Sequence, residues 1–323
     1  MGVLKLSGQD AMLRFHDLPG SGTPLVFIHG LGCASSCDYP QVTADSALTG
    51  RRCILVDLLG SGYSDRPERF EYRVEDHARI VVELIQNLEQ EIDLFGHSMG
   101  GAVAIVAATM APREVRRLVL AEPNLDVGGG LFSRKISAYS ESDYVLNGHA
   151  QMVVTASKEG DPGWAASLSI SSPRAIHRSA TSLVQGESLS WRQSLFGLPI
   201  PRSVIFGEHS LPHPDVVSLP RVGIAVDIVH NAGCCSKTAN QLRLLGDKFL
   251  IAENPLRVQL RELFYGGEHV CLAGDRLSAD GLLLHRRRRP LRNPADGDNR
   301  EAGDSNQAVL ASKCEGRAAG LLL

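Results

Sequence analysis

Ile92-Asp93-Leu94-Phe95-Gly96-His97-Ser98-Met99-Gly100-Gly101-Ala102-Val103-Ala104-Ile105-Val106-Ala107-Ala108-Thr109-Met110 is the stretch that decides the fold. Its first four residues read as a short buried strand, and residues 101–110 as a helix of mostly small side chains. Between them stands Gly96-His97-Ser98-Met99-Gly100, a G-x-S-x-G motif in the context that gives it meaning: strand, sharp turn, helix. The two outer glycines are needed because a side chain at either would collide with neighbouring backbone in so tight a turn. The turn lifts Ser98 Oγ above the sheet edge, at the N-terminus of the next helix. Backbone N–H groups and the helix dipole favour negative charge there. Ser98 is the candidate nucleophile. His97 should be pointed elsewhere by the same turn.

Working outward, short β-branched runs alternate with helical stretches, the signature of a mostly parallel sheet wrapped by helices. Strands are expected at residues 25–29, 53–57, 92–95, 117–121, 202–206 and 224–229. Most are continuous rather than alternating, as suits strands buried on both faces. The more alternating stretch 11–16 is expected as an antiparallel edge. Residues 74–88 carry Ile80, Val81, Leu84, Ile85 and Leu88 at helical spacing and predict an amphipathic helix.

Two regions break this rhythm. Residues 123–198 hold no strong strand, several polar helical segments and both tryptophans, Trp164 and Trp191. Inserted between two sheet strands, they are expected as a helical lid over the strand ends where such sheets bind ligands. From about Cys271 onward the periodicity is lost. Residues 271–323, with His285 and the run Arg286–Arg289, are expected as a disordered or diverged tail. The core is then residues 1–122 and 199–270.

Composition narrows the function classes. With 323 residues, 43% of them hydrophobic, the chain can bury one large core. A net charge of -3 gives no global reason to expect a nucleic-acid or anionic-membrane partner. No apolar run is long enough to span a bilayer, and the first ten residues lack the pattern of a secretory leader. The seven cysteines match neither a disulfide framework nor a paired metal site, so a reduced, cytoplasmic protein without metal or cofactor is expected.

A second motif, His29-Gly30-Leu31-Gly32, closes the strand at 25–29. In the matching geometry the N–H groups of Leu31 and Met99 converge as an oxyanion hole, each donor worth about 3–4 kcal/mol to the transition state. His29 reads as a packed histidine supporting that loop. A third stretch, Asp57-Leu58-Leu59-Gly60-Ser61-Gly62-Tyr63-Ser64-Asp65-Arg66-Pro67, lacks the spacing and the lysine of a phosphate cradle and reads as a structural loop.

In this order and at these intervals, HGLG, DLLGSGYSDRP and GHSMGG resemble the α/β-hydrolase superfamily, in its esterase- and lipase-like branch with a helical lid. The resemblance covers about residues 10–235. It is specific as to fold and weak as to substrate, since that scaffold hosts many reactions. Serine at the turn argues against a dehalogenase reaction, which needs a carboxylate nucleophile there. The resemblance implies a triad in the chain order Ser, acid, His. Two slots exist for the acid. One follows the strand at 117–121 and holds Glu122. In the other, after 202–206, the usual aspartate is replaced by Ser210, with Asp215 further on. Glu122 is the first choice and Asp215 the alternative.

The family's histidine follows the last core strand in an Ala-Gly-His turn, whereas this chain reads Val229-His230-Asn231-Ala232-Gly233-Cys234. A thiol cannot replace imidazole as a proton shuttle near neutral pH. His230, four residues early, is the candidate base, with His269 next. Two functions compete. One is a serine hydrolase of small carboxylic esters or related acyl substrates, impaired by the displaced histidine. The other is a non-catalytic member of the fold that binds a small apolar ligand or a partner.

Overall fold

The computed structural model describes residues 1–158, 161–186 and 190–233. Among them eight strands form one sheet: β1 Gly2–Lys5, β2 Met12–Leu18, β3 Ser21–Ile28, β4 Arg51–Asp57, β5 Ile92–His97, β6 Val115–Ala121, β7 Arg202–Gly207 and β8 Ala225–Val229. Their order across the sheet is β1-β2-β4-β3-β5-β6-β7-β8. β1 with β2 and β2 with β4 run antiparallel, while the other five pairings are parallel. The sheet is thus mostly parallel and flanked by helices, as the alternating pattern requires.

One expectation is corrected. The stretch expected as the edge is β2, antiparallel but one strand inside, and the edge is β1. With four residues that alternate half-buried and exposed, β1 is too short for its period of two to stand out.

The continuous apolar runs are explained by burial on both faces. Along β3, Val26 and Ile28 join the core beneath the helices Val74–Asn87 and Met99–Met110, while Leu25 and Phe27 pack on the opposite side with Tyr39 and Leu48. All four strand residues are fully buried, each contributing about 1.5–3 kcal/mol of burial. The helix Val74–Asn87 presents Ala78, Val81, Leu84 and Ile85 to the sheet, with Glu75 and Asp76 in its first turn beside the positive end of its dipole.

Between β6 and β7 the described residues hold helices and no strand. The longest are His149–Lys158, Pro162–Ser169 and Pro173–Gln185. They share a small apolar core of their own around Ile136, Tyr144, Trp164, Leu168 and Ala180. Hydrogen bonds fasten this insertion to the sheet's loops. Ser172 N–H donates to Gly60 O at 2.7 Å, Arg66 to Ile170 O at 2.7 Å, and Ser179 Oγ to Tyr72 O at 3.0 Å.

At the N-terminal ends of the central strands, Asp93 is fully buried and gathers two guanidinium groups. Arg51 reaches it at 2.5 Å and Arg116 at 2.8 and 3.0 Å. Removing one member of such a buried set leaves charge without compensation. Asp93→Ala should therefore cost about 3–5 kcal/mol in urea unfolding. Asp17→Ala, which breaks the exposed pair with Arg52, should cost less than about 1 kcal/mol. Equal losses would show that Asp93 is no internal anchor.

Candidate active site

The turn after β5 is built by close backbone approach. A Cβ on Gly100 would lie 2.4 Å from both Ile28 O and His29 O, and one on Gly96 would lie 2.4 Å from Gly100 O. The bare backbone at 100 lets the helix Met99–Met110 start directly against the end of β3. Ser98, the residue before that helix, takes φ 52° and ψ -117°. This is costly for a side chain with a Cβ, by about 1–3 kcal/mol, and persists only where the surroundings enforce it. They do so through both backbone groups. Ser98 N–H donates to Ala121 O at 2.9 Å, and Ser98 O accepts from Gly101 N–H at 2.9 Å and Asn124 N–H at 3.2 Å. Ser98 is half-buried, and its hydroxyl donates to Asn124 Oδ1 at 3.4 Å.

The loop after β3 lies against this turn, a Cβ on Gly30 being only 3.4 Å from Ser98 Cβ. Leu58 N–H donates to His29 Nε2 at 3.0 Å, which leaves the ring proton on Nδ1, 2.8 Å from Gly30 O. Gly30 O also accepts from Cys33 N–H at 3.2 Å. Because a peptide is planar, holding Gly30 O aims the Leu31 N–H in the opposite direction. His29, fully buried, thus serves the loop as a support and not as a base.

Met99 heads the helix, where the first N–H groups have no intrahelical acceptor. The third glycine-rich stretch is structural. The buried Asp57 carboxylate accepts from Ser36 N–H and Oγ and from Tyr63 N–H at 2.7–3.0 Å.

Glu122 directly follows Ala121, whose carbonyl holds Ser98. Its φ is 46°, a left-handed bend that turns its side chain from the end of β6 toward β7. There Oε1 accepts from Gly207 N–H and from Ser210 Oγ, both at 2.7 Å. Ser210, in the later of the two acid slots, is a donor to the carboxylate in the earlier one.

Asp215 is engaged differently. Its side chain, 7% exposed, receives both Nη groups of Arg192 at 2.7 and 3.0 Å and Ser218 Oγ at 2.9 Å. Burial raises its pKa, but the hydrogen bonds from Arg192 and Ser218 outweigh this and hold the carboxyl below its ordinary value. Arg192 also binds Asp126, so Asp215 ties the insertion to the strand ends.

Of the expected residues, the structure brings Ser98, Met99, Leu31 and Glu122 to neighbouring strand ends. It does not bring His230 to them. The His230 side chain is 72% exposed at the end of β8, with Nδ1 3.6 Å from Glu208 Oε2, and no hydrogen bond joins it to Ser98 or Glu122. The cause is local: Asn231, at φ 54°, donates its N–H to the same Glu208 oxygen at 2.9 Å and fixes the turn there. Cys234, His269 and His285 lie outside the described residues. Asn124, in contact with Ser98, was not expected. Its place two residues beyond Glu122 was the available signal. Among the described residues no His, Cys, Asp and Glu group could hold a metal ion, and no helix is long and apolar enough to cross a membrane.

Residues 23–144 match the family model described as alpha/beta hydrolase fold. The chain is similar to 2-hydroxymuconate semialdehyde hydrolase of Pseudomonas sp. (strain CF600), 40% identical over 112 residues, which is 33% of this chain and 38% of that protein. It is also similar to Lipase 3 of Moraxella sp. (strain TA144), 34% identical over 121 residues, covering 37% of this chain and 38% of the lipase. The matched stretch thus spans less than half the length of these relatives. Among solved structures, an esterase from Exiguobacterium antarcticum superposes with a TM-score of 0.64 at 18% identity, over 78% of this chain and 99% of the esterase. An N-acyl homoserine lactonase does so at 0.60 and 21%, over 83% and 98%. At such identities they share the fold.

Because the turn depends on bare backbone at position 100, Gly100→Ala should lower stability to urea by about 1–3 kcal/mol, the usual range for overpacking. Gly8→Ala, at a position with nothing within 4 Å, should leave it unchanged. An unaffected Gly100→Ala protein would mean that the helix is free to shift away from β3.

Proposed function

We propose that this chain, an α/β-hydrolase-fold protein, is a serine hydrolase acting on small carboxylic esters or related acyl substrates, with its rate limited by a displaced histidine. The strained conformation of Ser98 is the observation that carries it. A φ of 52° at a serine, enforced by hydrogen bonds at both its backbone groups, has no packing benefit and presents a hydroxyl at a helix N-terminus. The relatives' names, a lipase and a hydrolase among them, point the same way.

In this mechanism Ser98 Oγ attacks the acyl carbonyl, and the N–H groups of Leu31 and Met99 receive the oxyanion. Glu122 is the acid. Its Oε1 is held by Gly207 and Ser210, which leaves the second oxygen to orient an imidazole. Asp215 is committed to Arg192 and is the weaker choice. The proton acceptor is His230, which must leave Glu208 to serve. Asn124, the present partner of Ser98 Oγ, carries an amide oxygen that cannot take up the proton. The helical insertion acts as the lid, its apolar residues Phe132 and Trp164 packing beside Leu31 and Cys33.

A non-catalytic binding protein is the alternative, favoured by the pairing of His230 with Glu208 and by Cys234 in the slot where the family resemblance implies a histidine. A fluorophosphonate probe separates the two. Under the hydrolase assignment it adds once, at Ser98, and not to the Ser98→Ala protein. Absence of the adduct would favour the binding protein.

The choice of acid is tested by a crossed pair. Glu122→Gln should lower aryl-ester hydrolysis more than Asp215→Asn. Asp215→Asn should cost more stability, since it weakens the buried contact with Arg192. The reverse order in activity would move the acid to the later slot. Finally, Cys234→His should raise the rate about a hundredfold, the usual contribution of a positioned general base. The gain should vanish in Ser98→Ala. His230→Ala should abolish the slow native rate, and an unchanged rate would show that the base lies elsewhere.

A further inference from the structure

We propose that Trp164 is a positioning residue for the oxyanion loop, acting from the helical insertion through its indole N–H. This rests on the assignment of Leu31 N–H as an oxyanion donor. Trp164 Nε1 donates to Leu31 O at 3.0 Å, across 133 residues of sequence, and the side chain is buried. A buried indole N–H normally finds an acceptor, but here the acceptor is the carbonyl of the residue whose amide faces the reacting centre.

Two consecutive peptide planes are therefore held by different parts of the chain. The Gly30–Leu31 plane is held from within the core, by His29 and Cys33 N–H on Gly30 O. The Leu31–Gly32 plane is held by Trp164. With both carbonyls fixed, Leu31 has little freedom left in either backbone dihedral, and its N–H direction is set before any substrate arrives. Preorganised donors of this kind are where such sites gain most, since no reorientation is needed as charge develops.

The contact is shaped on both sides. Gly32 has φ 70°, and a Cβ there would lie 2.9 Å from Trp164 Nε1 and 2.9 Å from Leu168 Cδ1. Trp164 and Leu168 are four apart on the helix Pro162–Ser169, so one helix face closes on this glycine. The indole is itself placed by two contacts. Asp161 caps the helix by accepting from Trp164 N–H at 3.0 Å, and the Phe132 ring lies 4.4 Å away, centroid to centroid. The next helix, Pro173–Gln185, is hydrogen-bonded to the loops of the core, so Trp164 works from a fixed platform. The insertion then does more than cover the strand ends. It completes the site.

Trp164→Phe in the full-length protein keeps a ring beside Phe132 and removes the donor. Amide hydrogen exchange in the peptide spanning residues 30–34 should accelerate about fivefold, the worth of one neutral hydrogen bond. Exchange in β5 should stay unchanged, which separates a local loosening from a general loss of stability. The fluorophosphonate labelling rate at Ser98 should fall by a similar factor, and ester hydrolysis should lose kcat with KM little altered. Gly32→Ala, which forces the indole away, should reproduce the exchange pattern. Wild-type exchange at 30–34 in both variants would overturn the proposal. So would wild-type labelling of Ser98 in a Trp164→Phe protein whose parent is labelled well. A parent that is never labelled would instead overturn the hydrolase assignment, and the exchange rates alone would then decide whether Trp164 holds the loop.

Discussion

The missing side chain at Gly100 is the constraint on which the site depends. It lets the helix Met99–Met110 press against the end of β3, within 2.4 Å of where a Cβ would stand. That approach fixes the turn between β5 and the helix, and the turn forces Ser98 into its strained conformation. It also brings the loop after β3, with Gly30 and Leu31, beside Ser98. Strain at the serine is offset by the hydrogen bonds of its own backbone and by the large apolar core on both faces of the sheet. The geometry of the candidate site is thus a consequence of how one helix meets one strand.

Charge is distributed along the sheet in a way that fits this division of labour. At the N-terminal ends of the strands Asp93 gathers Arg51 and Arg116 in a buried set that pins β4, β5 and β6 together. At the C-terminal ends the carboxylates have separate tasks. Asp57 organises the loops around it, Asp215 fastens the insertion through Arg192, and Glu122 bridges β6 to β7 next to Ser98. Glu122 and Asp57 are bound by neutral donors rather than by a guanidinium, but Asp57 has both oxygens engaged, whereas the donors to Glu122 meet on Oε1.

Much of this was legible in the sequence, for reasons that can be named. The G-x-S-x-G turn, the HGLG loop and the buried strands are local patterns whose glycines and β-branched residues have one structural meaning. Glu122 was the first choice for the acid because the other slot held Ser210. What escaped was long-range. Nothing in the sequence reveals that Ser210 donates to Glu122, 88 residues away, or that Trp164 reaches Leu31. β1 escaped because four residues show no period, and Asn124 because an amide in a loop has no signal beyond its place two residues after Glu122. His230 was placed by its distance along the chain, and that distance could not reveal that Asn231 and His230 both turn to Glu208.

These features converge on one physical claim, that Leu31 and Met99 are aimed at the point where negative charge appears on an acyl group attached to Ser98. A crystal structure of the full chain phosphonylated at Ser98 measures this directly, since the phosphonyl oxygen stands in for the oxyanion. The predicted result is that oxygen at about 2.7–3.1 Å from both amide nitrogens, the range expected of an oxyanion hole. An oxygen turned away from both amides, with the adduct otherwise well formed, would contradict the claim.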